Sequence, residues 1–117
     1  FQIVDDLLDL WPHDEATSPP GDILSKKKTL PVIYAFSKAD AKQKRRLGSI
    51  YLKRVLDVQD VKDILDIIES MGARDYSVEI AKSLCSSAWE DMSSTLPSGV
   101  SLEPLREVAD FFVDRTI

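Results

Sequence analysis

Apolar positions recur every three or four residues along most of this chain, and no stretch alternates as a half-buried strand does. Residues 1–11, with Phe1, Ile3, Val4, Leu7 and Leu8, read as a helix that Pro12 ends. Residues 12–26 read as loop, carrying the breakers Thr17, Ser18, Pro19, Pro20 and Gly21. Thr29 is placed to cap a short helix that tolerates Pro31 in its first turn. That helix, Leu30 to Phe36, is apolar on all sides and is predicted to be buried. Residues 41–54 predict a basic helix with Leu47, Ile50, Tyr51 and Val55 as its inner stripe. Asp57 caps the next, whose apolar face is Val61, Ile64, Leu65, Ile68 and Met71, and Gly72 stops it. A longer helix over 74–94 presents Tyr76, Ile80, Ala81, Leu84, Ala88 and Met92 on one side, and Leu96-Pro97-Ser98-Gly99 breaks it. Ser101 is the expected cap of the last helix, with Leu102, Leu105, Val108, Ala109 and Phe112 inward. The predicted class is all-α, a helical bundle of antiparallel neighbours joined by short loops.

Composition narrows this picture. A length of 117 residues suits one domain, and 44% apolar with 30% charged residues is globular. The single Cys85 excludes an internal disulfide framework and a multi-cysteine zinc site. No apolar run approaches the ~20 residues of a membrane span. The first ten residues carry Asp5, Asp6 and Asp9 in place of the Lys or Arg of a signal peptide, so a cytoplasmic setting is expected. Phe1 opens the chain inside an apolar pattern with no Ser, Thr, Asp or Asn cap before it. Residues 1–117 therefore read as the C-terminal helical portion of a larger domain.

The formal net charge of −5 hides three blocks. Residues 1–25 hold six acids and no Lys or Arg, 26–54 hold ten bases and only Asp40, and 55–117 hold thirteen acids and five bases. An acidic block beside a basic one suits a ligand carrying both a metal and an anion, and it equally suits two solvated helix faces. The run Lys42, Lys44, Arg45, Arg46 resembles a nucleic-acid patch, but its acidic surroundings and lack of interleaved aromatics argue against that partner.

Two segments carry candidate chemistry. In Asp5-Asp6-Leu7-Leu8-Asp9, helical spacing puts Asp5 and Asp9 one turn apart on one face, with Asp6 about 100° round. Full charges about 5–6 Å apart repel by roughly 3 kcal/mol at an effective dielectric near 20. A bound cation explains that cost, and hard oxygen donors suit magnesium, while a solvated acidic face is the plainer alternative. In Lys26-Lys27-Lys28-Thr29-Leu30-Pro31, three ammonium groups precede a helix N-terminus whose dipole is already positive. A phosphate or diphosphate would neutralise them, and a solvated surface loop is the alternative.

Phe1-Gln2-Ile3-Val4-Asp5-Asp6-Leu7-Leu8-Asp9, then Gly21-Asp22-Ile23 and Lys27-Lys28-Thr29-Leu30-Pro31, resembles the second aspartate-rich region of the trans-isoprenyl (polyprenyl) diphosphate synthases. Gly72-Ala73 with Tyr76, then Ala81, Ala88, the Leu96-Pro97 break, Leu105, Ala109 and Arg115 match the way such chains end. The resemblance implies the C-terminal part of an isoprenoid-synthase-type fold. It implies a Mg2+-dependent prenyltransferase that condenses isopentenyl diphosphate with an allylic diphosphate, homodimeric when intact. It further implies that Asp5, Asp6 and Asp9 hold or orient magnesium. On the same resemblance Lys27 would contact the allylic diphosphate, with Lys28 the alternative, and Phe1 and Gln2 would line the reacting end of the cavity. Two departures stand out. Ala16 to Gly21 lacks the lysine of the family's usual Gly-Lys pair, and the first aspartate-rich motif, upstream in the family, is not in this chain. This chain alone is thus expected to be inactive. A non-catalytic helical subunit derived from such a synthase is the rival reading. A class I terpene cyclase fits less well, because its Asn/Ser/Glu metal triad is not found.

Other residues are read as structural. His13 has no partner placed by the sequence. Cys85 reads as a small packed residue, Trp11 and Trp89 as core or interface, and Phe111 and Phe112 as docking residues of the last helix.

Overall fold

A computed structural model describes residues 1–12 and 19–115. Seven helices occur among the described residues, and no strand. They are α1 (Gln2–Leu10), α2 (Gly21–Leu24), α3 (Leu30–Lys38), α4 (Ala41–Tyr51), α5 (Val58–Ser70), α6 (Ala73–Thr95) and α7 (Glu103–Asp114). The all-α expectation therefore holds. No described helix is long and apolar enough to cross a membrane.

Local chemistry accounts for most boundaries. Asp40 and Asp57 each close a reciprocal capping box, with Gln43 and Asp60 respectively, so α4 and α5 start on satisfied backbone donors. Gly72 takes a left-handed conformation at φ 68° and turns the chain directly from α5 into α6. Within the stretch expected to be loop, α2 forms one helical turn. The residues 13–18 of that stretch, including His13, Thr17 and Ser18, lie outside the described residues.

The core is built from Leu10, Ile23, Val32, Ala35, Leu47, Ile50, Val61, Ile64, Ile68 and Ala73, supplied by the first six helices. Helix α6 is the spine. It packs on α1, α3 and α5, burying Ala73 and Ser77 near its start, and Tyr76 stacks on Tyr34 at 3.9 Å between ring centroids. Small residues at these positions let the helices approach.

Several sequence expectations are corrected. Helix α3 is not buried all round, because Ile33 is exposed and only Pro31, Val32 and Ala35 are fully buried. Thr29 sits at the N-cap position but makes no side-chain cap, and its hydroxyl is buried without a partner. Val55 is exposed, because α4 ends at Tyr51 before the stripe reaches it. Leu84 and Ala88 are exposed, because α6 outruns the core it packs on, and Tyr76 in its first turn keeps about a third of its surface in water while stacked on Tyr34. Ser101 caps nothing. Leu102 occupies the N-cap of α7, which buries no residue; Leu105 and Val108 are exposed. Trp11 packs on the core, Phe112 meets Phe1 edge to face, and Phe111 stays exposed.

Candidate functional site

The site forms where α1, α2 and the loop before α3 meet. Helix α1 has a strongly two-sided sequence: Val4, Leu7 and Leu10 face inward, and Asp5 faces solvent with no partner among the described residues. Asp6 follows the apolar face far enough to be buried, at 6% exposure. A buried carboxylate needs a partner, and Lys27 supplies it at 2.7 Å from Asp6 Oδ1. The same ammonium reaches Asp22 Oδ2 at 3.1 Å.

The backbone aims Lys27 at this position. After α2, Lys26 takes the left-handed conformation at φ 56°. Lys26 N donates to Ile23 O at 2.9 Å and Lys27 N to Asp22 O at 2.8 Å, which is a Schellman ending. The reversal turns the Lys27 side chain back across α2 toward α1. The Lys26 ammonium donates to the Lys53 carbonyl and ties the reversal to the end of α4. Asp9 anchors the other end of α2 by accepting from Asp22 N at 2.9 Å on Oδ2.

The sequence-predicted residues thus fall into three groups. Asp6, Asp9 and Lys27 come together through Asp22, which joins them, and Asp5 stands exposed one turn before Asp9 on α1. Asp22 was not foreseen as a site residue. The signal was its position at the start of a turn after Pro19-Pro20, five residues before Lys27. Lys28 points away, to the rim of a groove between α3 and α4. Phe1 and Gln2 are exposed, with Phe1 at 5.4 Å from Phe112 between ring centroids.

The hydrogen bonds from Lys27 to Asp6 and then to Asp22 hold its pKa well above the usual lysine value. It is a permanent cation that can stabilise an anion and cannot serve as a proton shuttle. Two carboxylates, Asp6 and Asp22, stand against this one ammonium, with Asp9 and the exposed Asp5 on the same helix as Asp6, so the surroundings are net acidic. Among the described residues, no three His, Cys, Asp or Glu side chains converge to hold a metal ion alone. Magnesium commonly takes only one or two carboxylates, completing its shell with phosphate oxygens and water. The unpartnered carboxylate of Asp5, with Asp9 one turn along, fits that manner of binding. Asp6 and Asp9 each already spend one oxygen inside the fold.

Comparison with known proteins gives the family. The family model described as polyprenyl synthetase matches residues 1–68. A curated relative, the short chain isoprenyl diphosphate synthase of Methanothermobacter thermautotrophicus, is 33% identical over 117 residues, covering 98% of this chain. The chain spans 35% of that relative's length. The matched family segment holds α1 to α4, most of α5 and the whole Asp–Lys cluster, and the chain belongs to the polyprenyl synthetase family.

Proposed function

We propose that this chain carries the second aspartate-rich wall of a prenyltransferase site. In this reading it is the C-terminal portion of a protein that condenses isopentenyl diphosphate with an allylic diphosphate using Mg2+. The observation that supports it is the Lys27 ammonium held against Asp6 and Asp22 beside the free carboxylate of Asp5. A lysine of the basic run thus touches an aspartate of the acidic helix.

Asp5 and the unspent oxygen of Asp9 would hold the metal, and Asp6 orients Lys27. Magnesium, when bound, offsets the negative charge that grows on the departing diphosphate. Lys27 keeps its proton and donates to a phosphate oxygen, exchanging the Asp6 or Asp22 contact for it. Such a fixed cation, aimed where negative charge develops, is electrostatic catalysis. Phe1 and Gln2, at the start of α1, line the reacting end of the cavity. Lys28 replaces Lys27 only if the loop shifts by one residue. A homodimer in the cytoplasm completes the reading.

A non-catalytic subunit is the second reading, supported by the internal commitments of Asp6 and Asp9. The whole protein, incubated with isopentenyl diphosphate, an allylic diphosphate and Mg2+, separates the two. A longer diphosphate product by mass spectrometry is the expected result, and its absence favours the subunit. In the active protein, Asp5→Ala lowers turnover by roughly a hundredfold or more. Its melting temperature stays unchanged, because the side chain is exposed and unpartnered. A matching loss of stability would reduce Asp5 to a structural residue.

A further inference from the structure

Helices α3 and α4 diverge and leave a groove of about 540 Å3 lined by Val32, Ile33, Phe36, Gly48, Tyr51 and Leu52, with Lys28 at its rim. Every lining side chain except Lys28 is apolar or aromatic. Phe36 and Tyr51 meet edge to face at 5.6 Å between ring centroids and form its floor. Ile33 is 54% exposed and Leu52 is 88% exposed, so apolar surface stays in water here. A β-carbon added at Gly48 would meet nothing within 4 Å, so the space above α4 is open.

Both walls belong to the basic 26–54 segment, in which Lys27, Arg46 and Lys53 are ion-paired with aspartates and Lys28 is the charged residue that lines the groove. Lys28 has no hydrogen-bond or ion-pair partner among the described residues. Lys27, its neighbour, is fully engaged with Asp6 and Asp22. Lys44 stands one turn before Gly48, on the groove side of α4. The volume lies within the roughly 300–1,000 Å3 of small-molecule pockets. An apolar trough ending at a free ammonium matches a ligand with one apolar tail and one anionic head.

We propose that the α3–α4 groove binds a single-chain anionic amphiphile, its tail along Ile33, Phe36, Tyr51 and Leu52 and its head at Lys28. The tail removes the exposed apolar surface from water, and the head neutralises Lys28 at the positive start of α3. The site is separate from the Asp–Lys cluster and needs no divalent metal. It holds whether or not the cluster is catalytic.

The probe is monomeric dodecyl phosphate, titrated into the protein by calorimetry below its micelle concentration, with EDTA present. One saturable site is expected, with dodecanol and inorganic phosphate each binding at least tenfold more weakly. Gly48→Leu fills the trough at a helical position where Gly is itself unfavourable, so this variant stays folded. It is expected to lose at least tenfold in affinity. Leu52→Glu alters a side chain that is almost wholly solvated and places a carboxylate at the mouth, with the same expected loss. Asp5→Asn leaves the affinity unchanged, which separates this site from the cluster. Three results would overturn the proposal: no saturable binding, wild-type affinity in folded Gly48→Leu and Leu52→Glu, or binding to phosphatidylglycerol vesicles without binding of the monomer.

Discussion

Tyr51 is the residue whose energetics the fold leaves least resolved. Its hydroxyl is buried and has no hydrogen-bond partner, and burial pushes its pKa up to about 12. An unpaired buried hydroxyl costs about 1 kcal/mol or more, so Tyr51→Phe is expected to be about 1 kcal/mol more stable in urea unfolding. The pH dependence has a definite sign. Between the ordinary tyrosine value near 10 and about 12, the unfolded chain releases a proton that the folded chain keeps. Wild-type stability therefore falls as pH rises through that window. Tyr51→Phe lacks this loss, so the gap between the two proteins widens above pH 10. An unchanged gap would mean that the hydroxyl is solvated in the native state. Lys26 is a further costly residue, because a side chain at φ 56° disfavours the left-handed region by about 1–2 kcal/mol. Lys26→Gly is expected to be about 1 kcal/mol more stable than Lys26→Ala. Both lack the ammonium, and only the backbone preference differs. Denaturant midpoints of the pair test this. Nothing in Ser25-Lys26-Lys27 announces a Schellman ending, since the usual glycine is missing.

At the scale of elements, the longer helices were legible whether or not a side chain caps them, and the four-residue α2 was not. Asp57 stood out as a cap in the sequence, and the structure adds that Asp60 returns the bond while Lys53 holds Asp60 at 2.7 Å. Asp57→Ala removes the cap of α5 and is expected to cost about 1 kcal/mol in thermal or urea unfolding. Lys53, and then the backbone donor of Asp57, hold the Asp60 carboxyl below the usual aspartate value. That contribution is present above the ordinary value near 4 and is lost as the solution is acidified below it. The α2 turn escaped the sequence reading because its support is remote, coming from Asp9 on α1 and the Lys27 reversal. Four-residue helices have no periodicity of their own to read. Ser101 misled for the opposite reason. It is a good cap residue, but Pro104 in the first turn and Leu102 at the N-cap set the start of α7.

For the whole molecule, the distribution of burial matters most. Core residues run from α1 to the first turns of α6. The rest of α6 extends beyond them, and the molecule measures 56 × 32 × 21 Å. A domain of this length packed to ordinary compactness has a radius of gyration of about 13 Å. Here it is 17.4 Å. The second half of α6 and all of α7 bury no side chain fully, and Leu84, Leu105, Val108 and Phe111 remain in water. Native-state hydrogen exchange of this chain should therefore protect α3 and α5 most and α7 least, because opening energy follows buried apolar contacts. Equal protection of α5 and α7 would contradict this reading.

Sequence by itself determined the helical class, the stops at Pro12 and Gly72, the cap at Asp57, and the acid and lysine segments. Each of these follows from local periodicity, backbone restriction or charge within a turn or two. Only the tertiary structure decided which of the three adjacent lysines meets the aspartates, because a single left-handed residue sets the direction of Lys27 and sends Lys28 to the other side. The same holds for burial. An apolar stripe states which face of a helix prefers shelter, but whether α7 or the far end of α6 finds it depends on what packs there.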